Sequence, residues 1–508
     1  MVRRSARSRN RRQEPAVKQL PWRQLVNPYS PIEVLSTDQI EAIHQSSLVL
    51  LERTGMRVLH EEARKILKAA GADVDPTTKM VRFDRGLVEE KVALVPSEFT
   101  LRARNPERDI TLGGNRIAFC TVSGPAYCTD LDRGRRTGTF ADTCDFLRLA
   151  QSLNIIHQEG GWGFEPQDLP PETRHLDMYQ AQCRLLDKTW QPWALGRERS
   201  VDAIEMACIA FGTDREGLAK RPPFLTVVNT NTPLQLDIPM AEGLIEYAQA
   251  GQVVCVTPFT LAGAMGPVTL AGTLSLQNAE ALAVLTLIQI VNPGAPAMYG
   301  AFTSNVDMKS GSPAFGTPEY TKAALASGQL ARRHGIPFRS SNTNTSNTVD
   351  AQAVYESAMS LWGAIMGHAN LVYHAAGWLE GGLTASFEKL IVDAEMLQMM
   401  AEYMKPIEVS EDTLALEAIE EVGPGGHFFG SPHTLERYET AFYSPMLSDW
   451  RNYETWKEAG SIDTTTRANK IWKRLLEEYQ PVPLDPAVDE ALAAYVAKRK
   501  EGMPAAGK

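Results

Sequence analysis

What this 508-residue chain lacks narrows it before any motif is read. Its six cysteines (Cys120, Cys128, Cys144, Cys183, Cys208 and Cys255) form no CxxC pair and no Cys/His cluster at zinc-ligand spacing. That excludes a zinc module and a disulfide framework, and suits buried thiols in a reducing cytoplasm. No GxGxxG follows a strand pattern and no P-loop occurs, so the two usual phosphate-binding turns are missing. The most apolar stretch, ALAVLTLIQIVNPG, is interrupted by Thr286 and Gln289 and stops at Pro293, short of the roughly 18 apolar residues of a membrane span. Positive charge is in deficit: the net charge is −10, which argues against nucleic acid and anionic membranes as partners. The N-terminal MVRRSARSRNRRQE is basic, yet no apolar core follows it. Residues 1–30 therefore read as a disordered basic tail rather than a secretory signal.

What is present is a chain with 44% hydrophobic residues, enough for a substantial core. STDQIEAIHQSSLVLLERTG carries apolar residues at helical spacing, with Ser36 and Asp38 as candidate caps and Gly55 as a stop. HEEARKILKAAGA predicts a second helix, and Val81 to Arg104 reads as short strands or turns, giving an N-terminal α+β extension over 31–110. From Ile117 onward eight β-rich segments recur: IAFCTV, NIIHQEGGW, KTWQPWAL, PFLTVVNT, QVVCVTP, PAMYGAF, PFRSSN and NLVYHAAGW. Each is followed by a polar patch and then a helical pattern, the rhythm of one βα unit. Eight in succession predict an α/β fold, a (β/α)8 TIM-type barrel over 111–400; a doubly wound open sheet shares the rhythm and is the competing architecture. Residues 401–508, with the glycine loop EVGPGGHFFGSPHT and amphipathic helices from Asp463 to Lys500, predict a C-terminal helical extension packed on the barrel.

Barrel enzymes assemble their sites where the strands end, so the patches after each segment are the ones to inspect. They supply Glu159 and Trp162 after segment two, Trp190 and Trp193 after three, and Asn231 after four. Segment six supplies Tyr299, Phe302 and Asn305, seven supplies Asn344 and Ser346, and eight supplies His374, Trp378 and Glu380. Aromatic faces attract a desolvated quaternary ammonium at roughly 2 kcal/mol per good contact, so a ring-rich mouth suits a methylated cation. The same rings also serve as packing between barrel and helices. Glu159 and Glu380 sit in glycine-flanked turns; either carboxylate balances a cation, caps a helix or pairs with an arginine. His374 is a lone histidine ending an apolar strand, for which a core role and a site role are equally open. His427 and His433, beside Gly426, lie six apart in a glycine loop without a third metal ligand, which reads as a lid, a docking surface or plain loop. No metal site is expected.

Several long segments resemble the trimethylamine methyltransferase family: YGAFTSNVDMKSGSPAFGTPEY at 299–320, VDAQAVYE at 349–356, HAAGWLEGGLTASFEKLIVDAE at 374–395 and GPGGHFFGSPHT at 423–434. The resemblance implies a barrel that presents a methylated amine to the cobalamin (corrinoid) of a separate partner protein, with Gly426, His427 and His433 as candidates for contacting that cofactor. A homo-oligomer is expected. Founding members use pyrrolysine to activate trimethylamine, whereas the corresponding region here, RSSNTNTSNTVDAQ, holds only standard residues, with Ser346 or a neighbour at the replaced position. That departure moves the expected substrate from trimethylamine to an amine already quaternary, such as glycine betaine, proline betaine, carnitine or γ-butyrobetaine, and makes Arg339, Lys188, Arg197 and Lys309 candidates for holding a betaine carboxylate. A quaternary-amine binding protein without turnover and a demethylase with another methyl acceptor are the alternatives.

Overall fold

The computed structural model describes residues 17–502. The N-terminal section opens with helix α1 (Thr37–Arg53), closed at its start by a capping box in which Ser36 and Gln39 satisfy each other's backbone N–H groups. Helix α2 (Glu61–Ala69) follows as expected. Part of the stretch read as strands or turns is instead helix α3 (Arg85–Val92), started by the Asp84 carboxylate, which accepts the N–H of Gly86 and of Leu87. The helix is too short to display periodicity, so its cap was its clearest signal. Small strands at Met56–Val58, Asp73–Val74 and Met80–Arg82 complete this section.

The expected tail is corrected for residues 17–30. Leu25–Val26 pairs antiparallel with Arg116–Ile117, and Val17, Leu25 and Asn27 are buried. The apolar residues between the charges anchor this segment; residues 1–16 lie outside the described part.

Six strands form one parallel sheet: β1 (Arg116–Thr121), β2 (Leu225–Val228), β3 (Val253–Val256), β4 (Ala297–Gly300), β5 (Phe338–Ser341) and β6 (Leu371–Ala376). Their spatial order is β1-β6-β5-β4-β3-β2. Expected segments two and three form no ladder. They touch their neighbours through isolated parallel bridges at Cys120–Gln158, Gln158–Thr189 and Trp190–Phe224, which run from β1 to the start of β2. The reason is local: Gly161 and Trp162 have positive φ, and Pro192 lacks an N–H, so neither segment stays extended long enough to pair.

Each of the eight segments is followed by a helix: α4 (Phe140–Ser152), α5 (Arg174–Leu185), α6 (Arg197–Phe211), α7 (Ile238–Gln249), α8 (Leu270–Val291), α9 (Pro318–His334), α10 (Ala351–Met366) and α11 (Phe387–Tyr403). Helix α8 is long and apolar enough to cross a membrane by length and composition, but 83% of its most apolar window is buried inside the fold. The expected boundary at 400 falls inside α11, and that at 111 falls inside a hairpin that pairs Glu98–Leu101 with Ile110–Gly113. Helices α12 (Thr464–Glu477) and α13 (Pro486–Gly502) pack back on α11 and on α5 and α6.

Strand alternation sorts the core into two. Phe119, Val254, Phe338 and Val372 face the helices. Ala118, Leu225, Val253, Met298 and Leu371 face the other way and pack with Leu101, Ile110 and Leu112 of the hairpin, which seals the amino ends of the strands. The carboxyl ends are left for the site.

Candidate active site

A cavity of ≈ 410 Å³ lies at the carboxyl ends of the strands. Its walls carry Phe259, Phe302, Phe315, Trp193, Tyr373, His374 and Trp378, together with the polar Asn229, Thr230 and Gln191 and the cation Arg339. The aromatic wall is continuous. Phe302 lies 5.2 Å from Phe259, 5.3 Å from Phe315, 5.9 Å from Trp378 and 5.8 Å from His374, measured between ring centroids.

Strand β6 places two of these side chains by departing from regularity. Its register shifts against β1 between Val372 and Ala376, and His374 has φ +52°, so the bulge turns the imidazole over Trp378 at 4.4 Å. A buried network secures the bulge. Asp393 of α11 accepts the Gly377 N–H at 2.9 Å and pairs with Lys389, which also donates to Ser357 at 2.9 Å. Trp378 is held by Asn344, whose side-chain amide donates to the Trp378 carbonyl at 2.7 Å while the Asn344 backbone carbonyl accepts the indole N–H at 3.0 Å. Gly382 lies flat on the Trp378 ring: with φ +101°, it leaves room that a Cβ would lose by coming within 2.6 Å.

Burial dictates the electrostatics. The His374 imidazole is held far below its usual range by desolvation and by nearby Arg339, so it is neutral, and its Nδ1 has no partner. The Cys120 and Cys255 thiols and the Tyr373 phenol are pushed up by burial and stay protonated. Arg339 is 2% exposed and makes one hydrogen bond, from Nη1 to the Ala301 carbonyl at 3.3 Å. Its guanidinium lies 4.7 Å from the Tyr373 ring centroid and 5.5 Å from that of Phe302.

Of the residues expected at the site, Trp193, Phe302, His374 and Trp378 line the cavity together. The others do not. Tyr299 points into the helical layer, donating to Asn278 at 3.0 Å. Glu159 is buried behind the wall, accepting the N–H of Gly161 at 2.8 Å and of Trp162 at 2.6 Å, and the Gln182 amide at 2.6 Å. Trp162 stacks at 5.6 Å on the outer side of Trp193. Asn231 is exposed and donates to Asp237; Asn305 accepts from Thr317. Ser346 donates to the Thr348 carbonyl and to Asp350, the cap of α10. Glu380 is taken by Arg135 at 2.8 Å. Gly426 and His427 are exposed on a loop that contributes nothing to the cavity wall, and His433 is half-buried there.

Among the candidate cations, Lys188 is spent on the Ala150 and Leu153 carbonyls, Arg197 on Glu62 and Glu246, and Lys309 sits in an exposed turn. Only Arg339 of these lines the cavity. Sequence reasoning passed over Phe259 and Phe315. Phe259 ends the QVVCVTPF patch, which had the right position, and Phe315 stands inside the most diagnostic of the family segments. Among the described residues no group of three His, Cys, Asp or Glu is arranged to hold a metal ion.

Comparison with known proteins agrees with the segments that carry the resemblance. The chain is 41% identical to the glycine betaine methyltransferase of Desulfitobacterium hafniense (strain Y51) over 467 residues, covering 92% of this chain and 97% of that protein. It is 31% identical to the trimethylamine methyltransferase MttB of D. hafniense (strain DCB-2), with 92% and 94% covered. Among solved structures it matches the Methanosarcina barkeri monomethylamine methyltransferase MtmB at a TM-score of 0.47 and 12% identity, over 88% of this chain and 93% of that one. The family model of the trimethylamine methyltransferases (MTTB) matches residues 2–504, and the chain belongs to that family.

Proposed function

We propose that this protein transfers a methyl group from a small quaternary amine, glycine betaine or a related betaine, to a corrinoid carried by a partner protein. The observation that carries this reading is the ring-lined cavity at the strand ends, in a chain 41% identical to a glycine betaine methyltransferase. The parallel bridges at Gln158, Thr189 and Trp190 support reading the eight units as one closed (β/α)8 barrel. The sections before and after it act as braces on its outside and its amino-terminal end. Six free, buried thiols suit a reducing cytoplasm.

The chemistry asks little acid–base work of the chain. In a betaine the nitrogen is already quaternary, so when the C–N bond breaks its electron pair stays on nitrogen and a neutral tertiary amine leaves. No residue has to donate a proton, which fits a neutral His374 and protonated Tyr373. The wall offers no activated nucleophile either, since the cysteine thiols beneath it are kept protonated by burial. The acceptor therefore comes from outside, past Gly381, Gly382 and the 56% exposed Leu383 on the cavity rim. When bound, the corrinoid supplies the nucleophile. The rings hold the ammonium by cation–π attraction, exclude water and aim one N-methyl toward the rim.

The test is to incubate the purified protein with glycine betaine and chemically reduced cobalamin, and to follow dimethylglycine. Stoichiometric dimethylglycine is expected. If glycine betaine, proline betaine, carnitine and γ-butyrobetaine all remain intact, the reading is overturned.

A further inference from the structure

Among the described residues three lysine or arginine side chains are buried, and the fold satisfies two of them. Lys389 has Asp393 and Ser357. Lys188 donates to two backbone carbonyls, at 2.7 and 2.8 Å. Arg339 has neither: of its five N–H donors one reaches Ala301, Nε is buried without a partner, and the ionisable groups facing it are two thiols, two phenols and a neutral imidazole, those of Cys120, Cys255, Tyr320, Tyr373 and His374. The buried carboxylate in the same neighbourhood, Glu159, spends its oxygens on Gly161, Trp162 and Gln182. A desolvated guanidinium without an anion is costly, and a fold keeps one where a ligand supplies the anion. Two more groups on the wall carry unused polar capacity: the Trp193 indole N–H is an unpartnered donor, and His374 Nδ1 is unpartnered.

We propose that Arg339 is the carboxylate-binding residue of this site and makes it selective for zwitterionic betaines. This rests on the reading of the cavity as a quaternary-amine site and adds the second pole of the ligand. The carboxylate lies on the guanidinium, and the methylated nitrogen lies against Phe302, His374 and Trp378. The arrangement also excludes. A quaternary amine lacking a carboxylate meets an uncompensated positive charge in a low-dielectric pocket, so like-charge repulsion works against choline or tetramethylammonium where betaine brings its own compensation.

Calorimetric titration of the full chain with glycine betaine and with choline tests this. The wild type should bind glycine betaine at least about 100-fold more tightly than choline, the range expected for a buried charge-assisted pair. Arg339→Met should lose about 100-fold for glycine betaine and leave choline unchanged or tighter, and Arg339→Lys should recover part of the loss. If the wild type binds both within threefold, the carboxylate assignment falls while the ammonium site stands. If it binds neither, the quaternary-amine reading falls and takes this one with it. Equal weakening of both ligands by Arg339→Met, in a variant with wild-type circular dichroism, also overturns the proposal. Should that variant fail to fold, the wild-type ratio of the two affinities decides alone.

Discussion

Glu159 and Arg339 are both buried ionisable side chains close to Cys120 and Tyr373, yet they have opposite hydrogen-bond accounts. Glu159 is filled by three donors from its own turn and from Gln182. Arg339 keeps most of its donors unused beside a cavity. The two stand for the two sides of the rim. After segment two the Glu159 carboxylate is consumed in shaping a strained glycine turn; in segments seven and eight Arg339 and His374 keep spare capacity beside open space. Buried polar groups are normally satisfied within the fold, so a buried charge with unused donors beside open space sets Arg339 apart from Glu159.

The largest effect expected from this contrast is on the support behind the open side. Asp393 holds the Gly377 N–H and neutralises Lys389, so Asp393→Ala leaves a buried ammonium with Ser357 but no counter-ion and releases the bulge that aims His374. A loss of about 3–5 kcal/mol in urea unfolding is expected. Asp393→Asn keeps an acceptor for Gly377 and should lose less. An Asp393→Ala protein as stable as wild type would mean that the wall is not held from behind.

The filled side has a pH signature. Burial pushes the Glu159 carboxyl up from 4.5 to about 7. Because the folded-state value lies above the unfolded one, the folded state retains the proton longer. Its stabilisation is complete below about 4.5 and is lost as pH rises to about 7, in total about 3 kcal/mol. Glu159→Gln cannot titrate. Comparing unfolding free energies of the two proteins from pH 4.5 to pH 7.5 should show the wild type losing ground to the variant across that window and running parallel above it. A constant difference would place a charged Glu159 in the fold throughout, and would make it a possible partner for Arg339 rather than scaffold.

How much of this was legible beforehand follows from what kind of signal each feature leaves. The βα rhythm was visible because eight helices and six strands carry their own periodicity, and the capping box at Ser36 and Gln39 is written in four residues. Phe302, His374 and Trp378 were findable because each lies at or just past the carboxyl end of a strand. Tyr299, inside β4, and Asn305, past its end, face elsewhere, since alternation and the β4 boundary decide which neighbour points inward, and a shift of one residue inverts the answer. Arg339 was one cation among four. Nothing in its sequence neighbourhood says that Lys188 would find carbonyls and Arg197 two glutamates, because those partners come from distant segments. Absence of a partner is a property of the assembled fold.

The smallest predicted effect is the sharpest check on where the rim divides. Asn229 and Asn231 stand two residues apart after β2. Asn229 lines the cavity and donates to the Thr257 carbonyl at 2.8 Å, whereas Asn231 is exposed and reaches Asp237 at 3.2 Å. Asp237 does not need that contact to cap α7, because its other oxygen accepts the Met240 N–H at 2.9 Å. Asn231→Ala should therefore change unfolding free energy by less than about 0.5 kcal/mol and leave glycine betaine affinity unaltered. Asn229→Ala removes a polar group from the wall and should change that affinity severalfold. Were calorimetry to show the reverse, with Asn231 governing affinity and Asn229 silent, the ligand would lie outside the ring-lined cavity, toward the exposed loop after β2, and the distinction between filled and open sides would fail where it was drawn.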